Sequence, residues 1–181
     1  MSQIASAQAF ALFREVERRS QQHAAGIPQE AQIRETWSGV IFNVFERQYV
    51  SSMEQVSELL NFPSAITPVP GTLAWIRGVA NVRGSLLPLI DLQIFLGGKA
   101  TVTNRRSRVL VINMQGFYAG LLVTNVVGMR NFDEADRVAD PSVVKADARY
   151  VQSAFSFEGS AWNVFDMTRL LADPRFMQAS H

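Results

Sequence analysis

The sequence predicts a mainly β fold made of two similar small units, with short helices and one helical arm at its start. Three observations support this. From Ser38 onward, short β-prone apolar runs alternate with turn residues. Two of these runs, 76–82 and 86–90, are joined by Arg83-Gly84-Ser85, the signature of a hairpin in which glycine supplies the positive φ a tight turn needs. The unit also recurs. Gly84 to Leu92 lines up with Gly159 to Met167, Ile41-Phe42-Asn43 echoes Val111-Ile112-Asn113, and Val56 echoes Val126. Many short strands at short intervals favour small closed barrels over an open sheet, because closure removes exposed edges.

In chain order, Ala9, Leu12, Phe13 and Val16 form a short apolar stripe at helical spacing, with Arg14, Glu15, Arg18, Arg19 and Gln22 on the other sides. Gly26 and Pro28 end it, and 28–36 reads as a polar linker. Three readings of the arm stay open: packing on its own domain, docking to a partner, and membrane association. The polar face is of mixed sign, which disfavours the last. Next come a strand at 40–45, a turn at Glu46-Arg47-Gln48 and a returning strand from Tyr49. Pro63, Pro68, Pro70 and Gly71 then mark a stiff connection into Trp75.

Pro88 lacks an N–H, so its strand must carry it at an edge or a bulge. Asp91 is placed to N-cap a short helix holding Leu92, Phe95 and Leu96, ended by Gly97-Gly98. A second hairpin is expected from 109–114 and 117–123 around Gln115-Gly116, then a strand at 126–132. The charged stretch 133–147 reads as loop with a helical turn. The last hairpin, 150–157 and 161–165, turns at Glu158-Gly159-Ser160. Asp166 is expected to cap a helix holding Met167, Leu170 and Leu171, with Pro174 closing it.

Composition narrows the function. Of 181 residues 48% are apolar and 18% charged, which supports a packed core, and the net charge of +1 does not suggest a nucleic-acid or acidic-membrane partner. Cysteine is absent, which removes disulfides, thiolate metal sites and a cysteine nucleophile. No signal peptide and no apolar run of about 20 residues is visible, so a cytoplasmic protein without membrane insertion is expected. The two histidines, His23 and His181, have neither triad nor metal-ligand spacing. Asp91 and Asp166 are accounted for as helix caps. Gly97-Gly98-Lys99 follows a helix instead of opening one, so it is no phosphate loop. A binding protein with no catalytic residues, no cofactor and no metal is expected. Arg105, Arg106 and Arg108 keep a single-stranded nucleic-acid-binding barrel as an alternative of another class, although three arginines in a polar loop are more often a solvated connector and the near-zero net charge argues the same way.

The segment I-R-G-V-A-N-V-R-G-S-L-L-P-L-I-D-L, from Ile76 to Leu92, closely resembles the central signature of CheW-like chemotaxis coupling proteins. Val56-Ser57-Glu58-Leu59 and Ile66-Thr67-Pro68-Val69-Pro70-Gly71 also match the family's run into that signature. The resemblance spans about 38–172. It implies three regions: an N-terminal arm and linker at 1–36, a CheW-like domain at 37–174 and a tail at 175–181. Within the domain it implies two intertwined five-stranded SH3-like barrels with a hydrophobic groove between them. It further implies a non-catalytic adaptor that links the cytoplasmic tip of a methyl-accepting chemoreceptor to the regulatory domain of a CheA-like histidine kinase in membrane-associated arrays. Carried over position by position, Glu58 and Arg83 pair across strands near the receptor-contact surface, and Val56, Gly78, Asn81 and Gly84 lie at or beside it. For the glycines, a backbone requirement at a bulge or turn explains the residue equally well, and the Asn81 amide could simply satisfy nearby backbone groups. The arm, the Trp37-Ser38-Gly39 entry and the W-N-V-F-D ending resemble the branch serving type IV pilus twitching motility. The long arm and the 133–147 loop depart from the usual pattern and leave open a CheW-like scaffold for another signalling complex.

Overall fold

The computed structural model describes residues 36–139, 147–157 and 159–178. The expected N-terminal helix, both histidines, Glu158 and most of 140–147 lie outside the described residues. Among the described residues, eleven strands and three short α-helices follow in order: β1 (Thr36–Val44), β2 (Arg47–Ser52), β3 (Glu58–Asn61), β4 (Ile76–Val82), β5 (Ser85–Asp91), α1 (Leu92–Phe95), β6 (Arg108–Met114), β7 (Phe117–Val123), β8 (Asn125–Asp133), β9 (Arg137–Val138), β10 (Val151–Phe157), β11 (Ser160–Phe165), α2 (Met167–Leu171) and α3 (Pro174–Met177). The fold is mainly β, as the sequence predicts.

The strands form two curled sheets, of order β8-β1-β2-β11-β10-β9 and β3-β6-β7-β5-β4. The internal repeat emerges as an exchange. The hairpin β1–β2 takes its outer neighbour from β8, while β6–β7 takes β3, the strand that leaves β2. Equivalent residues keep equivalent registers: Glu58 faces Val111 and Gly128 faces Ile41, while Leu89 pairs with Gly120 and Val164 with Val50 in the parallel ladders.

Strand alternation then sorts side chains onto two faces. Val40, Phe42, Tyr49, Leu110, Ile112 and Leu121 point into one large core shared by the sheets, which α1, α2 and α3 complete. The opposite face of the second sheet encloses Ala80, Leu87, Leu89, Val109 and Val111. That of the first encloses Ile41, Val50, Phe132 and Phe155.

Several local expectations change. The first sheet has six strands instead of five because a two-residue strand, β9, adds to β10 through Arg137 and Val138. β1 already starts at Thr36, within the expected linker, because Thr36 and Trp37 pair with Asp133 and Phe132. The β1–β2 turn falls one residue early: Phe45 takes φ 60°, with its N–H on Thr124 Oγ1 at 2.9 Å, so Arg47 belongs to β2. Pro174 opens α3 instead of closing α2, because Asp173 caps the new turn and proline suits the first helical position. Pro88 sits just before Leu89–Asp91, the stretch of β5 that pairs with β7, so its missing N–H falls where β5 is locally an edge.

Candidate functional site

The site is built from the β4–β5 hairpin and the neighbouring start of β3. At the tip, Arg83 (φ 51°) and Gly84 (φ 86°) both occupy the left-handed region, the backbone of a two-residue type I′ turn. Asn81 Oδ1 accepts the Gly84 N–H at 2.9 Å and closes that turn. An added Cβ at Gly84 would meet nothing within 4 Å, so backbone conformation alone asks for glycine there.

Gly78 has a second reason. β4 shifts register between Ile76 and Gly78, and Gly78 has φ 129°. A Cβ there would lie 2.3 Å from the Thr67 carbonyl oxygen. That close approach lets Thr67 exchange two backbone hydrogen bonds with Val79, at 2.9 and 2.8 Å, which ties the proline-rich connection onto the outer side of β4.

Arg83 Nη2 reaches Glu58 Oε1 at 2.7 Å, with the side chains 77% and 35% exposed respectively. The expected pair is present, at the surface. Surface ion pairs contribute about 0–1 kcal/mol, so this one adds little stability and chiefly places the Arg83 guanidinium of the hairpin beside the Glu58 carboxylate of β3. The structure therefore brings Glu58, Asn81, Arg83 and Gly84 to one end of the second sheet. Gly78 lies farther along β4, and Val56 is buried in the shared core.

Three constellations went unrecognised in the sequence. Gln55, next to Val56, donates to Asp166 Oδ1 at 2.8 Å and accepts the Met167 N–H at 3.1 Å, locking the β3 entry to α2. Asp91, fully buried, accepts from Gln93 N, Ile94 N, Thr101 N and Thr101 Oγ1, and Arg77 Nη1 stands 3.9 Å away. Asp147, also fully buried, accepts from Arg47 and Tyr49. Burial first, and the hydrogen bond to Asp147 second, push the Tyr49 hydroxyl well above the ordinary phenol range. The Asp91 cap was visible as a helix start, but its second anchor at Thr101 lies in a loop that carries no signal of its own.

Among the described residues, no three histidine or acidic side chains converge as metal ligands, and no helix is long and apolar enough to cross a membrane. Arg108 donates to the carbonyl oxygens of Arg105 and Ser107, which makes it a loop fastener. The described site is thus a pair of strand-exchanged sheets with one exposed ion pair, Arg83 at the β4–β5 tip and Glu58 at the start of β3.

Residues 38–175 match the model of the CheW-like domain. The chain is 34% identical to Protein PilI of Pseudomonas aeruginosa over 94% of its own length and 96% of that protein's. It is 29% identical to Protein FrzA of Myxococcus xanthus, over 80% and 91%. A solved structure of the scaffolding protein TtCheW from Thermoanaerobacter tengcongensis superposes with a TM-score of 0.63 at 26% identity, covering 72% of this chain and 88% of that one. The chain belongs to the CheW-like domain family, the coupling and scaffold proteins of chemotaxis-type signalling.

Proposed function

We propose that this protein is a cytoplasmic, non-catalytic adaptor that couples the cytoplasmic tip of a methyl-accepting chemoreceptor to a CheA-like histidine kinase, in a system controlling type IV pilus twitching. The observation that carries this reading is the Glu58–Arg83 pair between β3 and the β4–β5 hairpin in a chain similar to PilI along almost its whole length. Val56 and Gly78 act from beneath: one packs the shared core under the β3 entry, the other holds β4 against Thr67. Asn81 and Gly84 set the turn that aims Arg83. A ligand-free adaptor can bias kinase activity only if its two surfaces make different contacts in the active and inactive arrays. A stiff double-sheet body transmits such a difference.

The test is co-sedimentation of the protein with a receptor cytoplasmic fragment and the cognate kinase, with autophosphorylation read in the same tubes. A ternary complex whose kinase activity depends on this protein is expected. Binding of receptor without any effect on the kinase would favour a scaffold for another signalling complex. Binding of neither would overturn the coupling role.

A further inference from the structure

The shared core is closed by a segment that belongs to one sheet and reaches into the other. α2 follows β11 of the first sheet, and Asp166 N at its start donates to the Tyr150 carbonyl at 2.8 Å. Asp173 then caps α3, with Pro174 at the first helical position. Phe176, 3% exposed, enters the second sheet's side of the core. Its ring centroid lies 5.0 Å from that of Phe95 in α1 and 5.5 Å from that of Phe117 at the start of β7. Arg175 reaches both ways: its Nη2 donates to Tyr150 Oη at 2.9 Å, and its guanidinium carbon stands 5.6 Å from the Phe95 centroid. Tyr150 Oη donates in turn to Asp173 Oδ2 at 2.6 Å.

Side chains alone hold this bridge. The N–H groups of Phe176 and Met177 both go to the Asp173 carbonyl, and that of Asp173 goes to Leu170, so these backbone groups bond to neither sheet. Phe176 is the one buried residue of α3. Elements with few buried contacts and local backbone bonds open by themselves, at less cost than global unfolding. The repeat supplies no second bridge among the described residues. After α1, Gly97 turns the chain away at φ 86°, and Thr101 returns to Asp91 of the same sheet. Between the described strands the chain crosses from sheet to sheet at two places, 53–57 and Thr124.

We infer that α3 is a releasable strap, which fastens the two sheets to each other on one side and lets go while both sheets stay folded. Release uncovers Phe95, Phe117 and Tyr150, and one sheet then shifts against the other about the two chain crossings. The β4–β5 hairpin travels with the second sheet, so its placement relative to the first becomes adjustable. A ligand that prefers one placement shifts the equilibrium of the strap. Neither receptor nor kinase is part of the device, so it holds or fails independently of the coupling assay.

The chain has no cysteine, so spin labels on Gln48→Cys in β2 and Asn113→Cys in β6, both exposed positions, report the separation of the sheets by pulsed electron resonance. Phe176→Ala is expected to widen the distance distribution at least twofold with unchanged far-UV circular dichroism, and so is a chain ending at Ala172. Phe176→Leu, which refills the site, is expected to restore most of the native width. Leu87→Ala, at a position fully buried on the far face of the second sheet, is expected to leave the width unchanged, which separates strap release from general loosening. Native width in Phe176→Ala would overturn the proposal, as would equal widening by Leu87→Ala. Loss of the native circular dichroism in both Phe176→Ala and the shortened chain would also overturn it, because α3 would then be inseparable from the core.

Discussion

The two sheets share one wiring and fill it with different chemistry. The outer face of the second sheet packs aliphatics, and Gly120 makes this possible: a Cβ there would lie 2.4 Å from Val109 Cγ1 and 2.9 Å from Leu89 Cδ2. At the corresponding face of the first sheet, Phe132 stacks on Phe155 at 4.6 Å and 19°, with Trp37 5.0 Å from Phe155. Gly39 opens the room for the Trp37 ring there, 2.5 Å from where its Cβ would be. Arginines close the aromatic half: Arg130 lies 3.7 Å from the Phe157 centroid, and Arg137 lies 4.4 Å from that of Phe155. The aliphatic half instead turns its arginine outward, to Glu58. A duplicated backbone thus leaves one half free to become a sealed support and the other to present a charged hairpin.

The difference can be broken first at the aromatic stack. Phe155→Ala should cost about 3–5 kcal/mol in urea unfolding, and a loss under about 1 kcal/mol would mean that the stack does not hold the first sheet. On the aliphatic side, Gly78→Ala forces a Cβ onto the Thr67 carbonyl. Strain of this kind costs about 1–3 kcal/mol. Faster amide exchange at Val79 should accompany the loss, and unchanged exchange would show that the Thr67 bridge is dispensable. Arg130→Gln removes a cation from the aromatic face and should cost about 0.5–1 kcal/mol, with the thermal midpoint as the readout.

Acid and base should act where α3 meets Tyr150. Tyr150 and Trp75 occupy matching positions, giving their carbonyls to Asp166 N and Asp91 N. Tyr150 Oη donates to Asp173 and accepts from Arg175, whereas the buried Trp75 Nε1 has no acceptor among the described residues. The Arg175 hydrogen bonds hold the Asp173 carboxyl far below the usual carboxylate range. Its folded pKa is therefore lower than its unfolded one, so its contribution is complete above about pH 4 and is lost as pH falls through the folded value. Burial, then the bond to Asp173, push Tyr150 up to about 12. That contribution is complete below about pH 10 and is lost as pH rises through 12. Asp173→Asn should shrink the acid loss in a stability–pH profile, and an unchanged profile would place the sensitivity elsewhere.

The smallest effect on stability is expected at the hairpin tip. Arg83→Ala should change unfolding by less than about 1 kcal/mol while weakening receptor co-sedimentation several-fold, and the Glu58→Arg/Arg83→Glu exchange should restore part of it if pairing is what matters. Native receptor binding by both single variants would remove the pair from the site.

The candidate site was legible where its geometry is local. Arg83-Gly84 and Asn81 lie within one turn, and the Glu58–Arg83 pair came with the family resemblance. Arg77–Asp91–Thr101 and Arg47–Tyr49–Asp147 were not legible, because each joins residues whose separation along the chain carries no periodic signal. Phe45 misled for another reason: a bulky residue at positive φ is the reverse of what turn chemistry leads one to expect.

By itself, the sequence determined the hairpins, the aspartate caps and the repeat, because each is specified within a few residues by alternation, by positive-φ glycines and by side chains that satisfy the first helical N–H groups. Only the tertiary structure decided that β3 and β8 trade places, and with that which faces become the shared core. An alternating apolar strand fits the edge of either hairpin equally well. The choice rests on non-local partners such as Thr124 on Phe45 and Gln55 on α2, whose hydrogen bonds exist only once both halves are folded together.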